Sequence, residues 1–434
     1  MYINRSLEGA LEQHFRGKVR EGALVPGIVG CGKTTMITHL LEKIANEFTC
    51  FSFTGDETAF RSAVAESSNY ILEFVRARTN KKSLVFVDEV QKEVAIFDAV
   101  KIAFDKGNIS FIISGSNPEF IRTKATSRIQ RRARLFEMQT LSMAEILRGE
   151  NLVTQGVCEH YEALLQSMFL DRKAMPAIAD LPELQITGGI SERATAYLVR
   201  GGLPLAWQAA STTDALQEVK KVYERGFEPI LNDTSQVSNI VAQSLATTHC
   251  KEFSYQGIMQ RSRLSQRRLI VEAINSLMAH GYLYQKQPTF FDTDHRSYLS
   301  TYSYCDPGIV SYLQGTLQVD SRDLGPRVEG VCHARLHSIC SNLPVKSQLS
   351  YYKPFTTAGK TVRMLAGEVD FVVQIGKRVI PIEVKAGIQI TGQDVPELCH
   401  LIDGRDLPFG IVFYGGIPKL DLHRRLVFLP WFLL

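Results

Sequence analysis

The sequence predicts a multidomain α/β protein whose N-terminal part contains a parallel sheet. Short apolar runs alternate with helical patterns through residues 1–150, and this alternation is typical of βαβ units in a doubly wound sheet. The chain has 434 residues, of which 45% are hydrophobic and 22% charged, so it is long enough for several folded cores. We expect four parts, which cover residues 1–150, 151–232, 233–318 and 319–434.

The charge, the cysteine pattern and the lack of long apolar runs indicate which cellular compartment to expect. The formal net charge is only +4, which neither requires nor excludes a nucleic-acid partner. The eight cysteines include no C-x-x-C pair, which argues against a zinc site or a disulfide framework and favours a reducing compartment. The N-terminus lacks an apolar signal core, and no apolar run approaches the length of a membrane span. We therefore expect a cytoplasmic protein without membrane contact.

The most informative stretch is Gly27–Thr35, which reads GIVGCGKTT and fits the phosphate-loop pattern G-x-x-x-x-G-K-[ST]. Its glycines let backbone N–H groups surround a phosphate chain. These glycines are Gly27, Gly30 and Gly32. Lys33 is expected on the β- and γ-phosphates, and the Thr34 hydroxyl on Mg²⁺. An apolar run before the loop and a helical pattern after it place the phosphates at a helix N-terminus, whose dipole favours an anion.

Two further strand ends carry polar residues that suit this chemistry. The apolar run at residues 83–87 ends in Asp88 and Glu89, and we expect Asp88 to hold Mg²⁺ and Glu89 to polarise the attacking water. The next strand, at residues 110–114, leads to Ser116, which could sense the γ-phosphate. Ser-Gly-Ser-Asn is also ordinary turn chemistry, so both interpretations stay open here.

A basic segment follows at residues 121–134. One of its arginines could act as an arginine finger on the nucleotide of a neighbouring subunit, which would make the protein a homo-oligomer. The candidates are Arg128, Arg131, Arg132 and Arg134. A solvated basic helix and a contact with DNA phosphates are the alternatives for this segment.

The middle of the chain is predicted to be helical. Residues 157–225 have a helical pattern and could form a lid on the nucleotide-binding sheet. Residues 236–304 predict three helices and a two-stranded hairpin, which is the order of a winged helix-turn-helix. Arginines gather at the start of the third helix, where they would contact DNA, or lie in solvent if the unit only packs against protein. They are Arg261, Arg263, Arg267 and Arg268.

The C-terminal part carries acids and a lysine in an arrangement that suits a nuclease. Asp370 lies at the start of one predicted strand, and Glu383 and Lys385 share one face of the next strand, after a tight turn. Two carboxylates would hold Mg²⁺, with the lysine orienting water, and Glu329 from a preceding helix could complete the metal shell. A charged β-hairpin without a catalytic role is the alternative.

Together, these motifs resemble a family of bacterial and archaeal AAA-type ATPases of the P-loop (ASCE) class. In that family an N-terminal P-loop module is joined through a winged helix to a restriction-endonuclease-like C-terminal domain. The resemblance covers nearly the whole chain and rests on GIVGCGKTT at 27–35, LVFVDEVQK at 84–92, FIISGSNPEF at 111–120, SRIQRRARLFEMQTLS at 127–142, YLVRGGLPLA at 197–206, GEVDFVV at 367–373 and IPIEVKAG at 380–387.

The resemblance implies roles for individual residues. ATP would be bound by Gly32, Lys33, Thr34 and Thr35. Asp88 and Glu89 would take the hydrolytic roles, Ser116 would be the sensor on its strand, and Arg132 matches the family's arginine finger.

The leading hypothesis is an ATP-hydrolysing switch or motor that acts on or near DNA and carries a Mg²⁺-dependent nuclease-like tail. Bacterial defence or mobile-element biology is a plausible setting. The alternative is a signalling ATPase whose C-terminal domain is an inactive scaffold for protein or DNA. A transcriptional regulator that binds duplex DNA without cutting it is a third possibility.

Overall fold

The protein is described by a computed structural model that covers residues 2–171, 174–227, 235–262, 266–289, 300–353, 355–358, 361–364 and 367–434. Within these ranges, every helix is too short or too polar to cross a membrane. The N-terminal part alternates strands and helices, as the sequence predicts. Its elements are α1 (Ser6–Arg16), β1 (Gly22–Pro26), α2 (Lys33–Lys43), β2 (Thr49–Thr54), α3 (Thr58–Glu66), α4 (Tyr70–Arg76), β3 (Ser83–Asp88), α5 (Ala95–Lys106), β4 (Ile109–Gly115), α6 (Pro118–Arg128) and β5 (Ala133–Leu135).

These strands form one parallel sheet in the order β2-β3-β4-β1-β5. Side chains of a strand point alternately to the two faces of a sheet, and the apolar runs follow this rule. On β1, Ala23 and Val25 enter the core beneath α1 and α2, whereas Leu24 enters the core beneath α5. Because both faces are covered, the strands read as continuous apolar runs. The helical pattern of residues 58–79 predicts a single helix, and this prediction is wrong, since the structure has α3 and α4 as separate helices.

A helical part follows the first sheet. It consists of α7 (Met143–Gly149), α8 (Gln155–Leu170), α9 (Gly188–Arg200), α10 (Pro204–Gln208) and α11 (Thr212–Val222). The glycine pair Gly188 and Gly189 is expected to break a helix, but it forms the first turn of α9. The reason is local: the Thr187 side chain accepts a hydrogen bond from the Ile190 N–H and caps this helix.

Three helices and a hairpin come next, in the predicted order. They are α12 (Ser235–Thr247), α13 (Tyr255–Ser262), α14 (Arg267–Ala279), β6 (Leu283–Pro288) and β7 (Thr301–Tyr304). The remaining elements are α15 (Pro307–Gln314), α16 (Ser321–Asn342), β8 (Ser347–Tyr352), β9 (Phe355–Ala358), β10 (Thr361–Met364), β11 (Val369–Ile375), β12 (Arg378–Val384), α17 (Pro396–Gly404), β13 (Gly410–Tyr414), β14 (Lys419–Asp421) and β15 (Leu426–Pro430).

The hairpin and the C-terminal strands belong to one sheet, in the order β14-β15-β13-β12-β11-β8-β6-β7. Strands β8, β11 and β12 are antiparallel neighbours, and β13 runs parallel to β12. Strand β6 joins this sheet by pairing with β8, with Gln287 opposite Ser350. The sheet therefore crosses the boundary predicted at residue 318. The apolar end of the chain is the buried last strand β15 that the sequence predicts.

The glycine pair Gly201 and Gly202 connects the first sheet's domain to the helices that follow it in the sequence. Gly201 has a φ of 75°, and the Gly202 N–H donates to the buried carboxylate of Asp306 at 2.8 Å. The Gly202 carbonyl in turn accepts from the Leu141 N–H at 2.7 Å. A side chain on Gly202 would place its Cβ 2.1 Å from the Leu141 carbonyl oxygen, so only glycine fits this joint.

Candidate functional site

The phosphate-loop stretch forms a tight turn between β1 and α2. Gly30 and Gly32 have φ angles of 76° and 95°, a left-handed conformation that other residues rarely adopt. Gly32 is the N-cap of α2, and no side chain caps this helix. An α-helix N-terminus without a side-chain cap, preceded by a glycine-rich turn, is a ready site for a phosphate anion.

Lys33, Thr34 and Asp88 meet at the base of this loop. The Lys33 side chain is buried, and its ammonium donates to the carbonyl oxygens of Gly27 and Ile28 at 2.9 and 3.0 Å. The Thr34 hydroxyl donates to Asp88 Oδ2 at 2.5 Å. The structure thus brings together the hydroxyl and the carboxylate that the sequence assigns to Mg²⁺, and such oxygen ligands fit that ion.

Asp88 is held by groups that sequence reasoning did not single out. Its Oδ1 accepts hydrogen bonds from the Ser114 hydroxyl and from the Glu89 N–H, the latter at 2.9 Å. Ser114 is fully buried on β4, and β4 lies between β1 and β3 in the sheet. Ser114, on the strand between β1 and β3, therefore helps to hold the Asp88 carboxylate beside the loop.

Glu89 lies in a polar network beside Asp88. Its backbone is left-handed, with φ 50° and ψ 45°, a conformation that is costly for a non-glycine residue and is concentrated at functional sites. Its Oε2 accepts from the Gln91 amide and, at 3.3 Å, from the Ser116 hydroxyl. Gln91 also donates to the Ser116 oxygen at 2.8 Å. The predicted Glu89 and Ser116 are thus in contact, and Gln91, which the sequence analysis missed, links them.

The helices after the first sheet lie directly on the phosphate loop. A Cβ placed on Gly30 would be 2.7 Å from Val222 Cγ2, at the end of α11. A Cβ on Gly32 would be 3.4 Å from Pro204 Cγ, at the start of α10. The predicted lid is therefore in contact with the loop itself, and the loop glycines make room for it.

The turn between α14 and β6 also lies beside the phosphate loop and the turn that follows β4. The Asn117 amide and the His280 Nε2 are 3.0 Å apart, so the turn after β4 is bonded to the end of α14. A Cβ on Gly281 would lie 3.2 Å from Pro118 and 3.6 Å from Ile28. The start of the hairpin therefore touches both the phosphate loop and the turn that follows β4.

A buried arginine fixes the outer side of the loop. Arg5 donates to the Cys31 carbonyl at 3.0 Å and to the Gln139 carbonyl at 2.6 Å, and pairs with Glu145 at 3.1 Å. Burial opposes the charge of Glu145, but the positive charge of Arg5 and backbone N–H groups leave its pKa below the ordinary value. Sequence reasoning missed Arg5, because its partners lie far along the chain.

Two of the four arginine-finger candidates form ion pairs within the chain. Arg132 donates to Asp105 at 2.6 Å, and Arg128 pairs with Asp98. The hydrogen bond to Asp105 raises the pKa of Arg132. The exposed candidates are Arg131 and Arg134.

Two of the four predicted DNA-contacting arginines have described side chains, at the first turn of α14. Arg267 is exposed, and its guanidinium carbon lies 4.4 Å from the centre of the Tyr255 ring. Arg268 is also exposed and pairs with a glutamate one turn further on, at 2.6 Å. Arg263 lies outside the described residues, and Arg261 is described only as a backbone position in α13.

The three predicted nuclease residues meet at the end of the β11–β12 hairpin. The Asp370 N–H donates to Glu383 Oε2 at 3.4 Å, and the Val384 N–H donates to Asp370 Oδ2 at 2.7 Å. The Lys385 ammonium donates to Glu383 Oε1 at 2.7 Å. The turn at residues 376–377 and the strand register thus place these side chains as the sequence predicts.

A second lysine, which sequence reasoning missed, enters the same site from β6. The Lys286 ammonium is 2.6 Å from Glu329 Oε1 and 2.8 Å from the carbonyl oxygen of Asp370. It also lies 4.4 Å from the centre of the Phe371 ring. The side chain is only 2% exposed. Nothing local in the sequence marks Lys286, because its partners follow it by 43 and 84 positions.

Burial is the largest cause of the raised pKa values of four acids at this site, which we call the carboxylate cluster. Its members are Glu329, Glu368, Asp370 and Glu383. Burial raises the pKa of Glu329 to about 7, against the effect of Lys286. Burial and the charge of Asp370 raise the pKa of Glu383 to about 8. Burial opposes the charge on Lys286, yet its acidic neighbours leave the pKa of its ammonium above the ordinary value.

The cluster does not have the arrangement of a metal site in this structure. Throughout the described part of the chain, no three or more His, Cys, Asp or Glu side chains are grouped so as to hold a metal ion. Lys286 lies where Glu329 and the Asp370 strand come closest, and Asp370 itself accepts a backbone N–H. The predicted metal ligands Glu329, Asp370 and Glu383 are neighbours, but they do not fit Mg²⁺ as placed.

The segment that contains the first sheet, the loop after β1 and the acids after β3 matches a known family. Residues 20–147 match the family model described as "AAA domain". Residues 324–434 match a second family model, described as "Domain of unknown function (DUF4143)". No curated protein matches the chain.

Partial matches to solved structures are found at 12–13% identity. The Walker-type ATPase PABY2304 of Pyrococcus abyssi has a TM-score of 0.46 and 12% identity, covering 72% of this chain and 96% of its own. The Aeropyrum pernix ORC1 protein, solved in complex with DNA, has a TM-score of 0.27 and 13% identity, covering 71% and 90%. AMPPCP-bound DnaA from Aquifex aeolicus has a TM-score of 0.26 and 13% identity, covering 64% and 89%.

Proposed function

We propose that the protein is an ATP-hydrolysing switch whose nucleotide state is transmitted to a nucleic-acid-binding unit and to a nuclease-like C-terminal domain. The observation that carries the proposal is the site at the phosphate loop. There, buried Lys33 lies in the glycine turn, and Thr34 bonds Asp88 at 2.5 Å. This combination of groups serves phosphoryl transfer, where catalysis consists of positioning and charge stabilisation.

The residues divide the work as follows. Backbone N–H groups of the loop and the N-terminus of α2 hold the phosphates of ATP. Lys33 turns from the carbonyls of the loop to the β- and γ-phosphates. Thr34 and Asp88 hold Mg²⁺, which neutralises charge on the phosphates when it is bound. Glu89 orients the attacking water, while Gln91 and Ser116 hold the Glu89 carboxylate.

ATP turnover by purified variants tests the first part of the proposal. Lys33→Ala is expected to lower hydrolysis at least 100-fold because phosphate binding loses its cation, and Glu89→Gln should retain ATP binding but lose turnover. Lys106→Ala, which removes an exposed lysine at the end of α5, is the matched control. Turnover retained by Lys33→Ala would contradict the proposal.

The helices covering the loop provide the transmission. Val222 and Pro204 lie against Gly30 and Gly32, so nucleotide that orders the loop also acts on α10 and α11. The Asn117–His280 bond connects the sensor turn to α14. We infer that loss of the γ-phosphate changes both of these contacts, as in other switches where a nucleotide orders a segment.

The unit formed by α12, α13, α14 and the β6–β7 hairpin is proposed to be a winged helix that binds duplex DNA. Exposed Arg267 and Arg268 at the first turn of α14 support this assignment, because the start of a recognition helix contacts DNA. In fluorescence-anisotropy titrations with duplex DNA, the double variant Arg267→Ala/Arg268→Ala should bind more weakly and show a salt slope smaller by up to ~2. Arg16→Ala, at an exposed ion-paired arginine on α1, is the control. Unchanged affinity of the double variant for duplex DNA would contradict a DNA-binding role of α14.

The C-terminal domain is proposed to be restriction-endonuclease-like in fold. Support comes from the helix α16, the antiparallel β8, β11 and β12, and the helix α17 leading to the parallel β13. Asp370, Glu383 and Lys385 come together at the open end of the β11–β12 hairpin, and this contact supports the proposal. The lack of a metal-holding group in the described residues favours the second candidate function, a scaffold that does not cleave nucleic acid in this conformation.

A cleavage assay separates the two candidate functions of this domain. DNA and RNA substrates are incubated with the full chain and Mg²⁺ or Mn²⁺, with and without ATP. A nuclease would nick at least one substrate and lose this activity in Asp370→Ala and Lys385→Ala. A scaffold would leave every substrate intact under all conditions.

A further inference from the structure

Arg5, the residue before α1, contacts the phosphate loop through the backbone of the loop. Its Nη1 donates to the Cys31 carbonyl at 3.0 Å, and its Nη2 donates to the Gln139 carbonyl at 2.6 Å. Its Nε donates to Glu145 at 3.1 Å. The three nitrogen atoms of the planar guanidinium thus donate to three different acceptors, and the arginine is only 7% exposed.

The carbonyl that Arg5 holds belongs to the peptide unit between Cys31 and Gly32. This peptide bond is trans, and in a trans peptide the C=O and the N–H point in opposite directions. A guanidinium that holds the Cys31 carbonyl on one side therefore directs the Gly32 N–H to the other side. Gly32 has a φ of 95°, which glycine adopts without strain.

The Gly32 N–H is one of the donors at the start of α2 that have no partner within this helix. The Gly32 carbonyl accepts from the Met36 N–H at 3.0 Å, which makes Gly32 the N-cap. The N–H groups of an N-cap and of the three residues after it cannot bond within their own helix, and no side chain caps α2. The direction of the Gly32 N–H therefore decides whether it can reach an anion at this helix end.

We propose that Arg5 is a positioning residue for nucleotide binding, which fixes the Cys31–Gly32 peptide so that the Gly32 N–H donates to the β-phosphate of ATP or ADP. This role rests on the proposed function of the loop and adds a residue from outside it. Glu145 pairs with the guanidinium, so Arg5 acts through the orientation of the peptide and not through its net charge. The competing interpretation is a buried ion pair that only stabilises the fold.

Arg5→Lys separates the two interpretations, because it keeps the charge and removes the planar fork. A lysine ammonium can pair with Glu145 but cannot also hold both carbonyls in the same geometry. Titration of the full chain with ADP and Mg²⁺ should show about tenfold weaker ADP binding, roughly the effect of one hydrogen bond to a charged group. In steady-state hydrolysis the KM for ATP should rise by a similar factor while kcat stays within about twofold, because the bond is made in both the ground state and the transition state.

Arg327→Lys is the matched control for loss of a buried guanidinium. Arg327 is also buried, and it donates to the carbonyls of Leu198 and Pro307, each at 3.0 Å, which lie outside the loop. This variant should be less stable but keep the wild-type ADP affinity and KM, since a smaller folded fraction lowers only the apparent kcat. Equal ADP affinity of wild type and Arg5→Lys, or an equal loss in Arg327→Lys, overturns the positioning role alone. A wild type that binds neither ADP nor ATP overturns the proposed function of the loop, and the positioning role with it.

A crystal structure of the wild-type chain with ADP decides the matter if Arg5→Lys does not fold. The Gly32 nitrogen should lie within about 3.2 Å of a β-phosphate oxygen, while the Arg5 Nη1 stays within about 3.2 Å of the Cys31 carbonyl oxygen. A β-phosphate bound without the Gly32 N–H, or a Cys31 carbonyl that has left Arg5, overturns the positioning role.

Discussion

Part of the acid sensitivity of the fold should come from His249, which is buried behind the carboxylate-bearing helix α16. Its ring stacks on Tyr304 with centroids 6.4 Å apart, and its Nδ1 accepts the Tyr304 N–H at 3.4 Å. A Cβ on Gly330 of α16 would lie 2.1 Å from the His249 Nε2. Burial, with the positive charges of Arg327 and Lys251, lowers the pKa of His249 from 6.5 to about 3.

The sign and size of the effect follow from this pKa. The folded protein keeps His249 neutral while the unfolded chain protonates it near pH 6.5, so its contribution to stability is present above pH 6.5 and is lost as the pH falls toward 3. At pH 5 the loss is about 2 kcal/mol, since the unfolded chain gains about 1.4 kcal/mol per pH unit below its pKa. Glu329 and Glu383 act in the opposite direction, because their raised pKa values of about 7 and 8 favour the folded state as the pH falls.

Urea unfolding at pH 7 and pH 5, compared between wild type and His249→Gln, isolates the histidine from these acids. The glutamine cannot be protonated, so the variant should lose about 2 kcal/mol less than the wild type between the two pH values. Any packing loss from the substitution is present at both pH values and cancels in this comparison. If wild type and variant change by the same amount, within about 0.5 kcal/mol, the assignment of His249 as a buried neutral group is wrong.

Three further substitutions test packing around the phosphate loop, each by urea unfolding. Gly30→Ala should cost about 2–5 kcal/mol, because it adds a left-handed alanine and a clash with the end of α11. Arg5→Leu should cost about 3–5 kcal/mol, since it leaves a buried glutamate unpaired, whereas exposed Arg16→Leu should cost under about 1 kcal/mol. Gly202→Ala should cost about 1–3 kcal/mol, whereas Gly188→Ala, where nothing lies within 4 Å of the new Cβ, should be tolerated. Equal losses within either of the last two pairs would contradict the contacts described here.

The residues that can be identified from the sequence are those whose chemistry is local. Lys33 and Thr34 share one short loop, Asp88 and Glu89 end one apolar strand, and Glu383 and Lys385 are two residues apart. A strand end or a loop fixes the relative positions of such residues whatever the rest of the fold does. For this reason the amino-acid sequence alone predicts the order of the elements and the main site residues.

The residues that could not be predicted act across long separations. Arg5 binds Glu145, 140 positions away, and Lys286 binds Glu329, 43 positions away. Each of them looks like an ordinary surface cation in the sequence, and only the packing shows that it is buried. The split between α3 and α4 is a different case, because Ser67, Ser68 and Asn69 are polar residues that favour turns and helix caps and could have indicated the interruption.

The buried acids explain why the chain must place a cation among them. A carboxylate without a partner in a protein interior is costly, and α16 with the β11–β12 hairpin brings several together. Lys286 on β6 supplies this cation. Strand β6 begins just after the turn at Gly281, which lies beside the phosphate loop. Lys286 lies three positions after Leu283, a distance of about 10 Å along the strand. The 2.6 Å ion pair between Lys286 and Glu329 therefore connects the strand that starts beside this turn to the helix α16.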